Sequence, residues 1–287
     1  MKANTFTKGG CSSCIIILLL ILSSVLAGSV DQDRNKFFAF DNGIGRGKLT
    51  PQEQAEILKE LDFDGIGYTG ITNLSERIKV FRKHNLKIFS LYVHCNPQKE
   101  PAYDPGFENA LKQLKGTGTM FWLTVQGKAD EQDAARVVRE IADIAGKYDV
   151  KIALYPHYGF YVATTADAIR LVKIVDRKNV GISINLCHEL RSGKGSELDD
   201  IIVQAGRNLF IVSINGADHK GNWDRLIQPL GQGEFDVAGF ISKLKKAGYT
   251  GPVGLQCYNV KGDQKANLKV SMQVWKKYSV KNNKRKE

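Results

Sequence analysis

The sequence predicts an α/β protein, a single-domain (β/α)8 barrel behind an N-terminal signal peptide. From Lys36 onward, short β-branched or aromatic runs alternate with segments whose apolar residues recur at helical spacing, and eight such pairs can be counted. The runs are near-continuously apolar, as strands are when helices cover both faces of a parallel sheet. No Ser/Pro-rich linker interrupts the series, so one domain accounts for residues 36–279 of the 287-residue chain.

In chain order the expected strands are Phe37–Asp41, Gly65–Thr69, Lys87–Val93, Thr119–Val125, Lys151–Tyr155, Val180–Asn185, Leu209–Ile214 and Val253–Gln256. The first is followed by Asp41-Asn42-Gly43-Ile44-Gly45-Arg46-Gly47. Its glycines have the wrong spacing for a dinucleotide loop and do not open directly into a helix, which reads as a flexible strand-to-helix connection. Thr50-Pro51-Gln52-Glu53 then forms a capping box with proline at the first helical position, leading to Ala55, Leu58 and Leu61 on one face. Ala134, Val137, Val138 and Ile141 mark the longest expected helix, from about Glu131 to Tyr148. Ala168, Leu171, Val172 and Val175 repeat the i, i+3, i+4, i+7 spacing, as do Val237, Phe240, Ile241 and Leu244.

Residues 1–27 have signal-peptide grammar: Lys2 and Lys8, an apolar run from Ile15, and small residues near Ala27. The apolar core is too short for a membrane span of ~20 residues. The expectation is export to a periplasmic or extracellular compartment, a short linker over 28–35, and no stable membrane anchor after cleavage. Cys95, Cys187 and Cys257 remain in the mature part, an odd number without zinc-site spacing, and read as free buried thiols. Of the net charge of +11, the C-terminal stretch 276–287 carries much, with Lys276, Lys277, Lys281, Lys284, Arg285 and Lys286 against Glu287, and Lys2 and Lys8 add to it in the leader. The tail, placed at 280–287, reads as solvated, and the mildly basic remainder gives no reason to expect nucleic acid.

In such a barrel the site forms at the C-terminal ends of the strands. Three of those ends read Tyr155-Pro156-His157, Asn185-Leu186-Cys187-His188 and Val253-Gly254-Leu255-Gln256, and a turn Pro229-Leu230-Gly231-Gln232-Gly233 leads to the seventh helix. Together they resemble the xylose isomerase-like sugar phosphate isomerase/epimerase barrels, from about Phe37 to Trp275. In that family the fifth strand ends Glu-Asn-His, the sixth carries Asp-x-x-His, the seventh ends in His and the eighth in Glu. The resemblance implies that these carboxylates and His hold a divalent cation against two sugar oxygens, and that the glutamates move a proton between adjacent carbons. This chain keeps His157 and His188 but has Tyr155, Asn185, Ser213 and Gln256 at the four ligand positions. All four are neutral at pH 7, whereas a hard cation favours anionic oxygens.

The expectation is therefore a degenerate metal site with no metal ligand assigned and no cofactor; Mn or Mg would require a site rebuilt from other residues. By resemblance the protein is an isomerase/epimerase-like enzyme acting on a sugar or sugar derivative, the alternative being a non-catalytic carbohydrate-binding barrel. The candidate acid/base set is His157, His188 and Asp218, because imidazoles titrate near neutral pH. Tyr155, Asn185, Arg191, Trp122 and Gln256 are candidate substrate contacts, the two amides retaining hydrogen-bonding capacity. Aromatic side chains at the strand ends, including Tyr68, Tyr92, Tyr158, Tyr161, Trp223 and Tyr258, suit stacking on sugar rings. The expected partner is a small-molecule carbohydrate; the oligomeric state is left open.

Overall fold

Eight parallel strands close into a barrel in chain order, the eighth pairing back onto the first. The computed structural model describes Met1 and residues 34–280. The expected signal peptide, most of the 28–35 linker and tail residues 281–287 lie outside the described residues. The chain divides between Asn35 and Lys36, and the barrel is the unit from Lys36 on. Among the described residues no helix is long and apolar enough to cross a membrane.

The strands are β1 (Phe37–Phe40), β2 (Gly65–Thr69), β3 (Lys87–Cys95), β4 (Met120–Val125), β5 (Ile152–Leu154), β6 (Val180–Asn185), β7 (Leu209–Ile214) and β8 (Val253–Leu255). Asp41, Tyr155 and Gln256, expected as last strand residues, lie one residue beyond β1, β5 and β8, at the mouth rather than inside the ladder. The first main helix, α1 (Pro51–Glu60), starts at the expected capping box: the Thr50 hydroxyl accepts from Glu53 N, and the Glu53 carboxylate accepts from Thr50 N. A second box at Thr164 and Asp167 opens the helix Thr165–Val175. The helix Glu131–Gly146 has 16 residues, but the C-terminal helix Gln264–Val280, with 17, is longer. Its weak amphipathic periodicity explains why the sequence pattern favoured the former.

Inside the barrel, Phe38 and Phe40 from β1, Phe89 from β3, Trp122 from β4 and Tyr155 after β5 form an aromatic fill separate from the aliphatic layer between sheet and helices. Trp122 packs edge-on to both Phe40 and Tyr155, with ring centroids 5.0 and 4.8 Å away. Such bulk fits because the neighbouring strand β8 carries glycine beside it: a Cβ at Gly254 would lie 2.6 Å from the Phe38 and Phe40 rings. This plug is the floor of the cavity described next.

Candidate functional site

A cavity of about 310 Å³ opens above the plug, at the C-terminal ends of the strands. Tyr68, Tyr92, Trp122, Tyr155, Trp223 and Tyr258 line it, whereas Tyr158 and Tyr161, counted with them in the sequence, do not. Trp122 is locked from below, its indole N–H donating to Ser183 Oγ at 2.7 Å while that hydroxyl donates to Leu154 O at 2.7 Å.

At the β5–β6 side stand His157 and His188, with ring centroids 4.2 Å apart. In the turn after β5 the Tyr158 backbone hydrogen-bonds both rings and fixes them. His157 Nδ1 lies 2.9 Å from Tyr158 O, a carbonyl that can only accept, so Nδ1 carries the proton and Nε2 a lone pair. His188 Nδ1 accepts from Tyr158 N at 3.2 Å, so in the neutral ring the proton is on Nε2. Phe160 stacks on His157 at 4.0 Å, and Trp223 meets His188 edge-on at 5.3 Å. Burial lowers both imidazole pKa values, that of His188 well below the ordinary 6.5 with His157 adding to the effect. The pair is therefore neutral at pH 7, one ring presenting a proton acceptor and the other a donor.

Across the mouth, after β1, lies a set that the sequence reading undervalued. Asp41 is buried, its carboxylate accepting from Thr69 N and from Thr69 Oγ1, each at 2.9 Å. Arg46 NH1 donates to the same Thr69 hydroxyl at 2.8 Å and stands 3.7 Å from Asp41. Burial pushes the Asp41 carboxyl up, while Thr69 and Arg46 oppose the shift. The connection expected to be flexible is tied down by side chains: Gln54 donates to Ile44 O and accepts from the Tyr68 hydroxyl, and Gln264 accepts from Gly45 N. The available signal was a lone arginine inside a glycine-rich loop directly after a barrel strand.

Several expected site residues sit elsewhere. Asp218 does not join the histidines: it turns from the cavity to pair with Arg225 and accepts from Gln228 Nε2 and Glu234 N at 3.3 and 3.2 Å. Its neighbour His219 packs on Phe235. Asn185 is fully buried beneath the mouth, donating to Pro156 O at 2.9 Å and accepting from Ser213 Oγ at 3.0 Å, and it does not line the cavity. Arg191 lies outside the lining, over the Tyr158 and Trp223 rings, donating to Gly221 O. Gln256, Tyr155 and Trp122 do line the cavity. Cys95, Cys187 and Cys257 are free, with thiols pushed up to about 12 by burial.

These residues do not fit a divalent cation. Gln256 Oε1 already accepts from Asn42 Nδ2, Cys257 N and Tyr258 N, and its Nε2 donates to the Tyr155 hydroxyl at 3.4 Å. Asn185 and Ser213 satisfy each other, and Asp41, the one carboxylate lining the cavity among the described residues, is engaged by Thr69. Among the described residues no three His, Cys, Asp or Glu side chains gather into a group able to hold a metal.

A family model described as "Xylose isomerase-like TIM barrel" matches residues 58–278. The chain belongs to this family. The inosose isomerase of Bacillus subtilis is 30% identical over 135 residues, covering 45% of this chain and 47% of that protein. The 3-dehydroshikimate dehydratase of Pseudomonas putida is 30% identical over 137 residues, covering 45% of this chain and 21% of that protein. These matches span less than half the length of those curated relatives. Among solved structures, D-allulose 3-epimerase from Methylomonas sp. in complex with D-allulose superposes with a TM-score of 0.68 at 16% identity, covering 85% of this chain and 97% of that one. The IOLI protein with a bound zinc atom gives 0.66 at 21% identity, covering 86% and 97%. This family member thus shares the barrel of sugar isomerases, epimerases and dehydratases.

Proposed function

We propose that the cavity takes a carbonyl-bearing sugar or sugar derivative and moves a proton on it by isomerase/epimerase-type chemistry, with the family's divalent-cation site degenerate. The observation that carries this reading is the His157–His188 pair, whose opposite tautomers are set by one peptide backbone. His157 Nε2 takes a proton from the carbon next to the substrate carbonyl. The C–H electron pair becomes the enediol double bond, and the carbonyl π electrons move to oxygen. His188 Nε2–H hydrogen-bonds that oxygen as its charge grows, in a pocket where burial strengthens the interaction. Return of the proton from His157 to the former carbonyl carbon, while His188 gives its Nε2 proton to the first oxygen and takes the proton of the hydroxyl on the carbon that was deprotonated, isomerises the sugar; epimerisation requires the enediol to turn its other face to His157 before the proton returns to the same carbon. The aromatic walls supply flat apolar surface for the ring.

Incubating candidate ketoses and cyclic polyol ketones in D2O and following solvent deuterium at the α carbon by NMR tests the reading. Exchange by the wild-type protein is expected, with His157→Asn losing on the order of 10²–10⁴-fold, the usual contribution of a general base. His188→Asn is expected to lose about 10²–10³-fold, as for a removed oxyanion donor. Because burial lowers the His157 pKa, the midpoint of the acid-side fall in exchange is expected below pH 6.5. Exchange equal in wild type and His157→Asn would favour the second reading, a non-catalytic carbohydrate-binding barrel, to which the withdrawal of Asp218 from the cavity already lends weight. We also propose that the protein is exported through cleavage near Ala27, a point checked by the mass of the secreted chain.

A further inference from the structure

The two ends of the cavity differ in chemistry, and only the imidazole end has been given work. Beside the same cavity, two other polar atoms have no partner. Ser90, on β3, lines the cavity with 1% of its surface exposed, and its hydroxyl makes no hydrogen bond. The Asn42 amide is oriented by its donation to Gln256 Oε1 at 2.7 Å, an oxygen already fixed as an acceptor by Cys257 N and Tyr258 N. Asn42 Oδ1 is therefore a buried acceptor without a donor. Buried polar atoms are paired in the great majority of cases, so two orphans beside one cavity point to groups that a ligand brings. Arg46 adds further N–H donors beyond the one it gives Thr69.

We propose that this end, formed by Asn42, Arg46 and Ser90, is a subsite for the hydroxyl groups of a neutral polyol, anchoring the part of the substrate remote from the reacting carbon. A hydroxyl can donate to Asn42 Oδ1 and Ser90 Oγ and accept from Arg46; a phosphate or carboxylate only accepts and would meet the Asp41 carboxylate beside Arg46. In a closed eight-stranded barrel β1 lies opposite β5, so a ligand bridging this subsite and His157 spans the mouth. The assignment rests on the cavity being a sugar site and names the portion of the sugar that selects it.

Fluorescence of Trp122 and Trp223, both in the cavity wall, reports binding to the full-length protein. The probes are D-fructose, D-fructose 6-phosphate and dihydroxyacetone, which has the carbonyl but no remote hydroxyls. Wild type is expected to bind D-fructose at least tenfold more tightly than its phosphate ester. Ser90→Ala and Arg46→Gln should weaken D-fructose about tenfold and leave dihydroxyacetone affinity unchanged, with thermal midpoints confirming that both variants fold. Equal effects on both neutral ligands, no effect on either, tighter binding of the phosphate ester, or no D-fructose binding by wild type would overturn the subsite. Failure of the proton-transfer reading is separate: both neutral ligands would bind, and neither would take up deuterium from D2O.

Discussion

One backbone unit does much of the work at the scale of single residues. Tyr158 offers its N–H to His188 and its C=O to His157, and so turns two chemically identical side chains into an acceptor and a donor. The two histidines were legible in the sequence because both follow strand ends. Their tautomers were not, since these depend on where a neighbouring peptide lies in space. Asp218 was misplaced for the same kind of reason: position beyond β7 does not say which way a side chain points, and Arg225 draws it outward. Glu189 gives a second residue-scale test. Its Oε1 accepts from Thr165 N and Oγ1, both at 2.7 Å, while Oε2 is buried without a partner, and burial raises its pKa above 4.5. Below 4.5 folded and unfolded chains both hold the proton. Above it the unfolded chain releases the proton first, so the stability Glu189 contributes falls as pH rises through the folded pKa. Glu189→Gln cannot ionise and is expected to gain stability relative to wild type between pH 4.5 and 7 in denaturant titrations; a constant difference would contradict the burial argument.

Among the elements, the strand ends decide which side chains pack and which line the cavity. The sequence periodicities located all eight strands and the capped helices because apolar spacing and caps are local signals. Which strand residue reaches the cavity was less legible: Tyr155 and Gln256 step past their strands into the wall, while Asn185 ends β6 inside a closed hydrogen-bond set. Restoring carboxylates at Asn185 and Gln256 should therefore not restore cation binding. An aspartate at 185 sets an oxygen against Pro156 O, 2.9 Å from the present amide nitrogen, and is expected to cost about 1–3 kcal/mol. Calorimetry with Mn²⁺ on the double variant checks this, and tight binding would refute it. The aromatic plug sets another limit. Gly254→Ala forces a methyl group against Phe38 and Phe40 and is expected to cost about 1–3 kcal/mol, readable from the unfolding midpoint.

For the molecule as a whole, the barrel supplies a ring on which two unlike chemistries face each other: imidazoles after β5 and β6, and an Arg46–Thr69–Asp41 chain after β1 and at the end of β2. The sequence made the barrel and its family resemblance readable across nearly the whole domain. It also placed Tyr155, Asn185 and Gln256 at the ends of their strands, since that requires only local patterns. It did not reveal that Arg46 enters the mouth, because the loop is held by Gln54 and Gln264, residues distant in the chain or on another face of a helix. The proton transfer proposed for this cavity requires no divalent cation. The most direct measurement is α-deuterium incorporation into an accepted sugar in D2O, on protein of known metal content, before and after EDTA and with Mn²⁺ added back. Sub-stoichiometric metal and one unchanged rate throughout are expected; a rate abolished by EDTA and restored by Mn²⁺ would overturn the proposed metal-independent mechanism.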